Sequence, residues 1–506
     1  MSAATLAEEG SADVQRALAD ARQAQQGWAR LSLRERGRLV GRIPRILTEH
    51  ADELTAAIAA CTGKTRVDAM SAEVLPAAMA AAYYAKAAER FLRPRRIRRG
   101  NPLLFFKRST LLHEPWGVVG IISPWNYPFA IPFHEVVMAL MAGNGVVLKV
   151  ATLARSVGEL IARILREAGV PQGLFQLVHL RGADTAAAFV EAGVDKIFFT
   201  GSIAVGKQIM ALAARKLIPV CLELGGNDAM IVCADANLVR AANGALWAGL
   251  SNCGQSCGGV ERIYVHHSVA DEFTRLLAER LHRLRVGRET EFDVDIGTLT
   301  TAGQFATVKA QLDEAVAAGA RVVAQVGRED AEQRIHPAVI LDGVQASLRI
   351  MTDETFGPLL AVDRFVTEEE VVAKANGTIY GLTASVWTRD QAVAQRLAAR
   401  LAAGAVTIND HLMSHGMAET HWGGYGQSGI GRSHGQMGFE EMTQTKVVVR
   451  DSLHRLPRQM WWYPHSRATY AGLDGAMQAL YGRGAGRRLL GLGRLLRLLI
   501  GVLRKW

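Results

Sequence analysis

The chain has 506 residues, of which 49% are hydrophobic and 21% are charged. This composition excludes an intrinsically disordered protein and is sufficient for more than one hydrophobic core. The formal net charge of +10 comes from two segments, residues 86–108 and 451–506, which carry +8 each and leave −6 on the rest. Because the positive charge is local and no recognised nucleic-acid motif accompanies it, we expect no nucleic-acid partner.

Cysteine usage and the N-terminal sequence indicate the compartment. The five cysteines are few and odd in number for a chain of this length, which fits a reducing cytosol better than a disulfide framework. The first residues, MSAATLAEEGSADVQ, are acidic and lack an apolar stretch, so we expect no secretory signal. The sequence therefore predicts a cytoplasmic protein.

The periodicity of apolar residues changes along the chain. Residues 12–92 have apolar positions at helical spacing and are predicted to form helices, with Pro44 kinking or dividing the second of them. From residue 111 onward, short apolar runs such as GVVGII, GVVLKV and KIFFTG alternate with amphipathic stretches. Such runs between helices are typical of parallel βαβ units. The predicted fold class is α/β, with two α/β layers after a helical N-terminus.

Glycine and amide residues follow two of the predicted strands. GSIAVG at 201–206 follows the strand KIFFT and opens a helix, where main-chain N–H groups would point at an anion. Two glycines alone are a weak dinucleotide signal, and a simple turn is the alternative interpretation. In SPWNYPF at 123–129, Asn126 follows another strand, and its amide is suited to donating a hydrogen bond to an oxyanion.

Two further positions carry reactive groups. Cys257, in GQSC, lies among glycines that leave a thiol accessible, although a lone cysteine is more often an inert core residue. Glu223, in LELGGN, ends an apolar strand, where a carboxylate is costly unless it is paired or used.

In this order and spacing, the motifs resemble the NAD(P)-dependent aldehyde dehydrogenase superfamily, from about residue 15 to about residue 450. The matching motifs are ISPWNYPF, VVLKV, FTGSIAVG, LELGGN, GQSC, ETFGP, NGTIYGL and GGYGQSGIGR. The form GQSCGGVERIYVH, with IPVCLELGG before it and AGAVTIND after it, is most similar to bacterial members that act on apolar aldehydes, such as the diapolycopenedial dehydrogenases.

The resemblance implies an aldehyde dehydrogenase fold with a Rossmann-like cofactor domain, an α/β catalytic domain and a small β arm for oligomerisation. The implied boundaries are 1–94 and 116–222 for the cofactor-binding domain, 223–435 for the catalytic domain, 95–115 and 436–450 for the arm, and 451–506 for a C-terminal extension. A homodimer or homotetramer is implied. The arginines of residues 86–108 would then pair with acidic groups across a subunit interface.

The resemblance also implies the catalytic roles. Cys257 would attack the aldehyde to give a thiohemiacetal and, after hydride transfer, a thioester. The side chain of Asn126 and the N–H of Cys257 would bind the oxyanion, and Glu223 would activate the hydrolytic water. A carboxylate at 223 favours release of the free acid over transfer to coenzyme A. Cys253, one helical turn earlier, either lines the mouth of the site or packs in the core, and packing is favoured. No metal is expected.

NAD or NADP is the implied cofactor, and its contacts follow from the same resemblance. The residues assigned to it are Trp125, Lys149, Gly201, Ser202, Gly206, Leu224, Glu354 and Phe356. Of these, Lys149 would bind the adenosine ribose, Ser202 the pyrophosphate and Glu354 the nicotinamide ribose. Where NAD-preferring relatives often carry a glutamate, this chain has Thr152, and Arg155 is near in sequence. We therefore hypothesise that NADP is tolerated or preferred.

The substrate channel is only partly readable from the sequence. The residues assigned to it by resemblance are Tyr127, Ile131, His134 and Trp422. Because this set lacks an arginine, the expected substrate is an apolar medium- or long-chain aldehyde. His134 could equally be a histidine of the channel wall with its hydrogen bonds satisfied, and this is the favoured interpretation. The alternatives are a semialdehyde dehydrogenase for a small polar substrate and an inactive membrane-associated scaffold.

The C-terminal extension has a different pattern. WWYPHS at 461–466 is expected to fold back on the body or form an interface. Residues 483–506 form a basic amphipathic pattern whose longest uncharged run is too short to span a bilayer. This pattern favours peripheral contact with the inner face of the membrane. Packing of the same helix on a partner subunit is the alternative.

Overall fold

The computed structural model describes residues 10–456 and 458–504 and divides them into two compact units. The first unit contains the described residues up to Arg93 together with His113–Gln444. The second contains Pro94–Leu112 and the described residues from Thr445 onward. The domain boundaries given above stay predictions.

The N-terminal part of the first unit is helical, as the periodicity predicted. Its helices are α1 (Ser11–Trp28), α2 (Leu33–Val40), α3 (Ile43–Glu49), α4 (Ala51–Thr62), α5 (Arg66–Ala69) and α6 (Leu75–Leu92). Pro44 lies in the first turn of α3, where the missing N–H has no partner to lose, so the proline divides the predicted second helix. A single π-helical turn, Met70–Val74, connects α5 to α6.

The second unit begins with two strands and ends with a helical hairpin. Its strands are β1 (Arg95–Ile97), β2 (Lys107–Pro115) and β16 (Thr443–Asp451), arranged in the order β1-β2-β16. Its helices are α19 (Arg467–Tyr481) and α20 (Ala485–Arg504). The sequence predicted α20, whereas α19 was not predicted, because its glycines and exposed tyrosines obscure the helical period.

A six-stranded sheet follows in the first unit. Its strands are β3 (Val118–Ile122), β4 (Gly145–Lys149), β5 (Phe175–Leu177), β6 (Lys196–Thr200), β7 (Val220–Glu223) and β15 (Gly429–Ile430), in the order β15-β7-β6-β3-β4-β5. Only β15 runs antiparallel to its neighbour among these strands. The associated helices are α7 (Ala130–Ala142), α8 (Arg155–Ala168), α9 (Gly182–Ala192) and α10 (Ile203–Ala214). The carboxyl ends of β3, β4, β6 and β7 therefore share one edge.

A seven-stranded sheet makes up the rest of the first unit. Its strands are β8 (Asp228–Val232), β9 (Val260–His266), β10 (Arg321–Val326), β11 (Ala338–Asp342), β12 (Leu359–Phe365), β13 (Thr383–Trp387) and β14 (Ala405–Ile408), in the order β10-β11-β12-β9-β8-β13-β14. Its helices are α11 (Leu238–Leu250), α12 (Ala270–Leu281), α13 (Ala302–Ala317), α14 (Arg349–Thr352), α15 (Glu368–Ala375), α16 (Gln391–Arg400) and α17 (Met413–Gly416). Helix α18 (Gly435–Glu441) packs on α6 and α7 instead. The α/β class with mainly parallel sheets is confirmed.

Burial explains why the apolar runs form strands rather than surface helices. Every residue of β3, β4 and β8 is buried, as expected for parallel strands covered on both faces. Helix α7 is buried on all sides, which matches its lack of a polar face. Because α7 begins directly after the loop that contains Asn126, its packing fixes the position of that loop.

Candidate active site

Two cavities meet at Cys257 in the first unit. The carboxylate cavity has a volume of about 240 Å³ and is lined by residues including Asn126, Glu223, Glu354 and Cys257. The apolar cavity also has a volume of about 240 Å³, and Cys257 lies in its wall together with aromatic and aliphatic side chains. A group bonded to the Cys257 sulfur would therefore contact both spaces.

The loop before Cys257 has a strained backbone. Asn252, Cys253 and Gly254 have φ values of 54°, 56° and 72°, in the left-handed region that costs a non-glycine residue about 1–3 kcal/mol. Hydrogen bonds hold this conformation: the N–H of Asn252 donates to Asp68 Oδ2 at 2.9 Å, and Gln255 Nε2 donates to the carbonyl oxygen of Asn252 at 3.0 Å. The turn leads the chain from the end of α11 to Cys257 and β9.

The two cysteines of this loop have different environments. Cys253 is fully buried, in agreement with the favoured packing interpretation, whereas Cys257 is partly exposed. Burial raises the pKa of the Cys257 thiol, and the nearby carboxylates of Glu354, Asp228 and Glu223 raise it further. The thiol is therefore held neutral by these side chains alone, and a base or a cation is needed to form the thiolate.

Asn126 is held through both its side-chain amide and its main-chain carbonyl oxygen. Its Nδ2 donates to the carbonyl oxygen of Gln255 at 3.0 Å, which connects it to the Cys257 loop. Its own carbonyl oxygen accepts hydrogen bonds from Lys64 Nζ at 2.8 Å and from Asn252 Nδ2 at 3.0 Å. An amide has two N–H donors, so the second N–H of Asn126 Nδ2 remains to serve a bound oxygen in the cavity.

A buried ion pair supports the Asn126 loop and was not identified from the sequence. Lys64 Nζ lies 2.6 Å from Glu73 Oε1, and both side chains are fully buried. Glu73 Oε2 accepts hydrogen bonds from the N–H groups of Phe129 and Ala130, at the start of α7. The pair thus connects the N-terminal helices to both the loop and the helix that follows it.

Glu223 ends β7 with its carboxylate in the carboxylate cavity. The side chain is buried, and neither oxygen makes a hydrogen bond among the described residues, since the nearby N–H of Ser433 donates to Trp422 instead. Burial raises the pKa of Glu223 well above its usual range, the charge of Glu135 raises it further, and Arg432 opposes both effects. A buried carboxylate without a partner is costly, which is characteristic of functional sites.

Glu135, on α7, is a second buried carboxyl group beside Glu223 and was not singled out in the sequence. Burial raises its pKa to about 8, and its Oε1 lies 3.5 Å from Thr200 Oγ1. Its other oxygen has no hydrogen-bond partner among the described residues. The apolar residues around position 135 indicate a buried helix, but the sequence does not indicate that the Glu135 side chain approaches Glu223.

Six of the eight residues assigned to the cofactor line the carboxylate cavity: Trp125, Gly201, Ser202, Leu224, Glu354 and Phe356. Gly206 lies one turn into α10, where an added Cβ would be 2.6 Å from Leu224 Cδ2. Lys149 ends β4 and is buried, and burial lowers its pKa with a smaller contribution from Arg155. Gly206 and Lys149 are therefore near the edge of the sheet but are not part of the cavity lining.

The Glu354 carboxyl group lies close to a glycine backbone. The N–H of Gly226 donates to Glu354 Oε1 at 3.0 Å, and a Cβ added to Gly225 would be 2.5 Å from Glu354 Oε2. Burial raises the pKa of Glu354 to about 8, with a further contribution from Glu261. Glu261 was missed by the sequence reasoning, and it accepts hydrogen bonds from the N–H groups of Thr355 and Phe356. It thereby fixes the loop that carries Glu354.

The apolar cavity contains three of the four residues assigned to the substrate, namely Tyr127, Ile131 and Trp422. The other side chains that line it are mainly apolar and include Leu75, Pro76, Met79, Trp247, Leu412 and Met413. No lysine, arginine or carboxylate lines it among the described residues. It is therefore suited to an uncharged, apolar ligand.

His134 lies in a cluster of buried histidines. Its Nδ1 is 3.1 Å from His434 Nε2, and burial lowers the pKa of His134 to about 3. The histidine that lines the apolar cavity is His415, whose ring packs edge-on against Trp422 with 4.8 Å between centroids. Among the described residues, no group of three or more His, Cys, Asp or Glu side chains is arranged to hold a metal ion.

Comparisons with known proteins agree with this geometry. The sequence matches the pattern described as "Aldehyde dehydrogenase family" over residues 2–448. A Methylomonas sp protein named 4,4'-diapolycopene aldehyde oxidase is 38% identical over 470 residues, which cover 93% of this chain and 87% of that protein. A Mycobacterium ulcerans (strain Agy99) protein that carries the name of an NADP(+) succinate-semialdehyde dehydrogenase is 36% identical over 450 residues, covering 88% and 86%.

The fold is also similar to solved structures. The crystal structure of an NAD-dependent aldehyde dehydrogenase from Sinorhizobium meliloti superposes with a TM-score of 0.85 at 32% sequence identity. The match covers 90% of each chain. The similarity therefore extends over both large sheets and is not limited to one motif.

Proposed function

The chain belongs to the aldehyde dehydrogenase family, and from this membership we propose that it oxidises an apolar medium- or long-chain aldehyde to the carboxylic acid. It is an NAD(P)-dependent aldehyde oxidoreductase, and NAD or NADP is its cofactor. The observation that carries the proposal is the position of Cys257 in the walls of both the apolar and the carboxylate cavity. An aldehyde carbon bonded to its sulfur would lie between an apolar channel and the cofactor space.

The residues of the carboxylate cavity fit a dinucleotide. Ser202 is the N-cap of the twelve-residue helix α10, whose first N–H groups are suited to a pyrophosphate. Gly201 and Gly225 line the cavity, and a Cβ at either position would overlap the Phe199 ring or the Glu354 carboxylate, so glycine is needed for this packing. When bound, the nicotinamide ring accepts the hydride from the substrate carbon. Trp125 and Phe356, which pack edge-on at 5.5 Å, would border the ring.

In the proposed first step, the Cys257 thiol gives its proton to solvent water and the sulfur attacks the carbonyl carbon. The carbonyl oxygen becomes an oxyanion that accepts hydrogen bonds from Asn126 Nδ2 and the N–H of Cys257. Hydride then leaves the former carbonyl carbon, the C–O double bond re-forms, and an acyl thioester remains on Cys257. Removing one oxyanion donor typically lowers kcat by about 10²–10³-fold, so Asn126→Ala is expected to do the same.

In the second step, Glu223 acts as the general base. It takes a proton from the water that attacks the thioester, the carbon–sulfur bond breaks, and the carboxylic acid leaves while the sulfur takes that proton from Glu223 and becomes a thiol again. The lack of a hydrogen-bond partner for its carboxylate supports this role, since neither oxygen is occupied by a donor of the described residues. A pKa raised by burial makes the carboxylate a stronger base once it is ionised.

The substrate class is proposed from the lining of the apolar cavity. Succinic semialdehyde, the substrate in the name of one relative, would bring a carboxylate into a space that has no basic side chain among the described lining residues. Burying that charge without a partner is unfavourable. The name of the other relative refers to an apolar aldehyde, which agrees with the lining.

A series of linear aldehydes of increasing length, compared with succinic semialdehyde, tests this proposal. We expect kcat/KM to rise with chain length, because each buried methylene contributes about 0.8 kcal/mol. A higher kcat/KM for succinic semialdehyde than for every apolar aldehyde would support the polar-substrate alternative. Absence of activity with all of them would support the inactive scaffold.

We also propose assembly and location. The strand β16 is at the edge of its sheet and exposes Val447, Val448 and Val449, which supports pairing with a second copy to form a homodimer or homotetramer. The basic residues of 483–506 support peripheral contact with the inner face of the membrane, where apolar aldehydes partition. None of the described helices has the length and apolarity needed to cross a membrane.

A further inference from the structure

The positive charge of the chain is concentrated in the second compact unit. Residues 94–112 and 445–506 hold 18 lysines and arginines and two acidic residues, so they carry +16 and the rest of the chain carries −6. Both carboxylates are already engaged within the unit, Asp451 with Lys107 and Asp474 with Arg494. The two basic segments identified in the sequence therefore meet largely in a single folded unit.

The helices α19 and α20 pack on each other through small residues. A Cβ added to Gly475 would lie 2.6 Å from Arg494 Cβ, and one added to Gly491 would lie 2.6 Å from the main-chain nitrogen of Ala479. The glycines let the two helices approach each other closely, so the contact between them is narrow. Of the α20 residues whose burial the structure describes, only Gly491, Leu495 and Leu498 are buried. Most leucines of α20 are not used by this packing.

The unused leucines face an apolar groove in the same unit. The groove has a volume of about 710 Å³, and its lining includes Leu103, Phe105 and Met460 with Leu489, Leu492 and Leu496 of α20. These three leucines are 68%, 44% and 48% exposed. Leaving such side chains in water is unfavourable, and contiguous exposed apolar surface marks an interaction site.

One arginine lines this groove, and others are exposed elsewhere on the same helix and on the segment before Leu103. Arg488 is in its lining, and Arg487 and Arg497 are exposed on α20, while Arg95, Arg96, Arg98 and Arg99 are exposed on the segment that leads to Leu103. Tyr470 and Tyr481 of α19 are 76% and 66% exposed. Interfacial membrane helices combine leucines that contact acyl chains, tyrosines that lie at the boundary between headgroups and acyl chains, and arginines that bind phosphate.

We propose that the apolar groove, with Arg488 in its lining and the exposed Arg487 and Arg497 of α20, forms a docking surface for an anionic phospholipid bilayer. The leucines of α20 would enter the acyl region, and the arginines would contact the phosphates of the headgroups. This names the surface and the lipid class for the membrane contact proposed above. It does not depend on the chemistry at Cys257.

Charge complementarity favours a lipid surface over other occupants. The same face of a second copy would set the arginines of its α20, a helix without acidic residues, against those of the first copy, and like charges repel. A nucleic acid would neutralise the arginines but would leave the apolar groove exposed to water. An anionic bilayer satisfies the charge and the apolar surface together.

Vesicle co-sedimentation of the full chain tests the proposal. We expect the fraction bound to vesicles containing phosphatidylglycerol to exceed that bound to phosphatidylcholine alone by about tenfold or more at low salt, and to fall as salt rises. Leu492→Gln/Leu496→Gln and, separately, Arg487→Gln/Arg497→Gln are each expected to lower binding to anionic vesicles severalfold. The matched control Arg16→Gln/Arg45→Gln removes the same charge from exposed sites of the first unit and should leave binding unchanged.

Further measurements separate the outcomes. Equal binding to both vesicle types, or binding unaffected by the leucine and arginine variants, would overturn the proposal. If Leu492→Gln/Leu496→Gln dissociated an oligomer in sedimentation velocity while vesicle binding persisted, a second copy would be the occupant. Cys257→Ala should bind vesicles as the wild type does, and the leucine variant should keep its activity on a short soluble aldehyde, so docking and catalysis can fail independently.

Discussion

The ammonium group of Lys64 lies 2.8 Å from the main-chain oxygen of Asn126, inside a fully buried pair with Glu73. The proposed oxyanion donor is thus held by a cation from the N-terminal helices, more than sixty residues earlier in the chain. A charged pair in a dry interior is weak evidence for stability, and we infer that this pair instead fixes the conformation of the Asn126 loop.

We expect Lys64→Met to lower both stability and kcat. Removal of one partner leaves the Glu73 carboxylate buried and unpaired, which costs about 3–5 kcal/mol, and it frees the Asn126 loop to shift. The measurements are the midpoint of thermal unfolding and kcat with a saturating aldehyde. Lys309→Met, at an exposed site on α13, serves as the matched control.

A change in stability alone would indicate that the pair is only structural. If the pair positions Asn126, the loss of kcat in Lys64→Met should add little to that of Asn126→Ala in the double variant, because both changes affect one donor. Full additivity of the two losses would contradict the positioning role.

Much of the site was predictable because its motifs follow the ends of strands. The carboxyl ends of β3, β4, β6 and β7 share an edge, so residues after them converge whatever the details of packing. The side chains of Asn126, Ser202 and Glu223 are at this edge. Their roles in catalysis stay predictions, since geometry places them together without showing the reaction.

The residues that the sequence did not reveal depend on tertiary contacts. Lys64 precedes α5 and Glu73 lies in the π-helical turn after it, and nothing in TGKTRVDAMSAE indicates that both side chains are buried. Glu135 and His415 likewise lie on helices whose orientation only the packing decides. In the tail, the helical wheel gave the amphipathic pattern of α20 but not the glycine contact with α19 that leaves its leucines exposed.

Substitution of the two loop cysteines separates chemistry from packing. Cys257→Ala is expected to reduce kcat by about 10³-fold or more, because the covalent intermediates need the sulfur. Cys253→Ala should keep most of the activity, since the Cys253 thiol is fully buried and outside the walls of both cavities. Steady-state rates, together with alkylation of the native protein by iodoacetamide, are the measurements. Undiminished turnover in Cys257→Ala would show that the mechanism is wrong.

The pH dependence of turnover reports on Glu223. The base must be ionised to accept a proton, so kcat should rise with pH through the raised pKa of Glu223. Glu135→Gln removes the nearby negative charge that raises this pKa, so the rising limb should move to lower pH. The measurement is kcat against pH for both proteins, with the exposed-site variant Glu272→Gln as the control. If the rising limb of the kcat profile stayed at the same pH in Glu135→Gln, a group other than Glu223 would control it.

Glu135→Gln should also change how stability depends on pH. The pKa of Glu135 is raised from 4.5 to about 8, so the unfolded chain loses this proton at lower pH than the folded protein does. The stabilisation from the neutral form is therefore present below 4.5 and is lost as pH rises towards 8. We expect the thermal midpoint of Glu135→Gln to decline less than that of the wild type over this range.

Cofactor preference is expected to depend on the residue at 152. Thr152 is exposed at the turn after β4, and Arg155 is close enough to lower the pKa of Lys149. Positive charge without a carboxylate favours a 2′-phosphate, so we expect NADP to be used with a kcat/KM at least comparable to that of NAD. Thr152→Glu should lower kcat/KM for NADP by about tenfold or more, a cost of about 1–3 kcal/mol of charge repulsion, with little effect on NAD.

Gln391→Glu adds the same charge at the start of α16, in the part of the chain that forms the seven-stranded sheet, and should leave the ratio of the two cofactors unchanged. A wild-type preference for NAD of about a hundredfold or more, equivalent to about 2.7 kcal/mol, would contradict the expectation for NADP. An equal loss with both cofactors in Thr152→Glu would place residue 152 near the shared ribose rather than the 2′-phosphate. The absence of a carboxylate there would then have no bearing on cofactor choice.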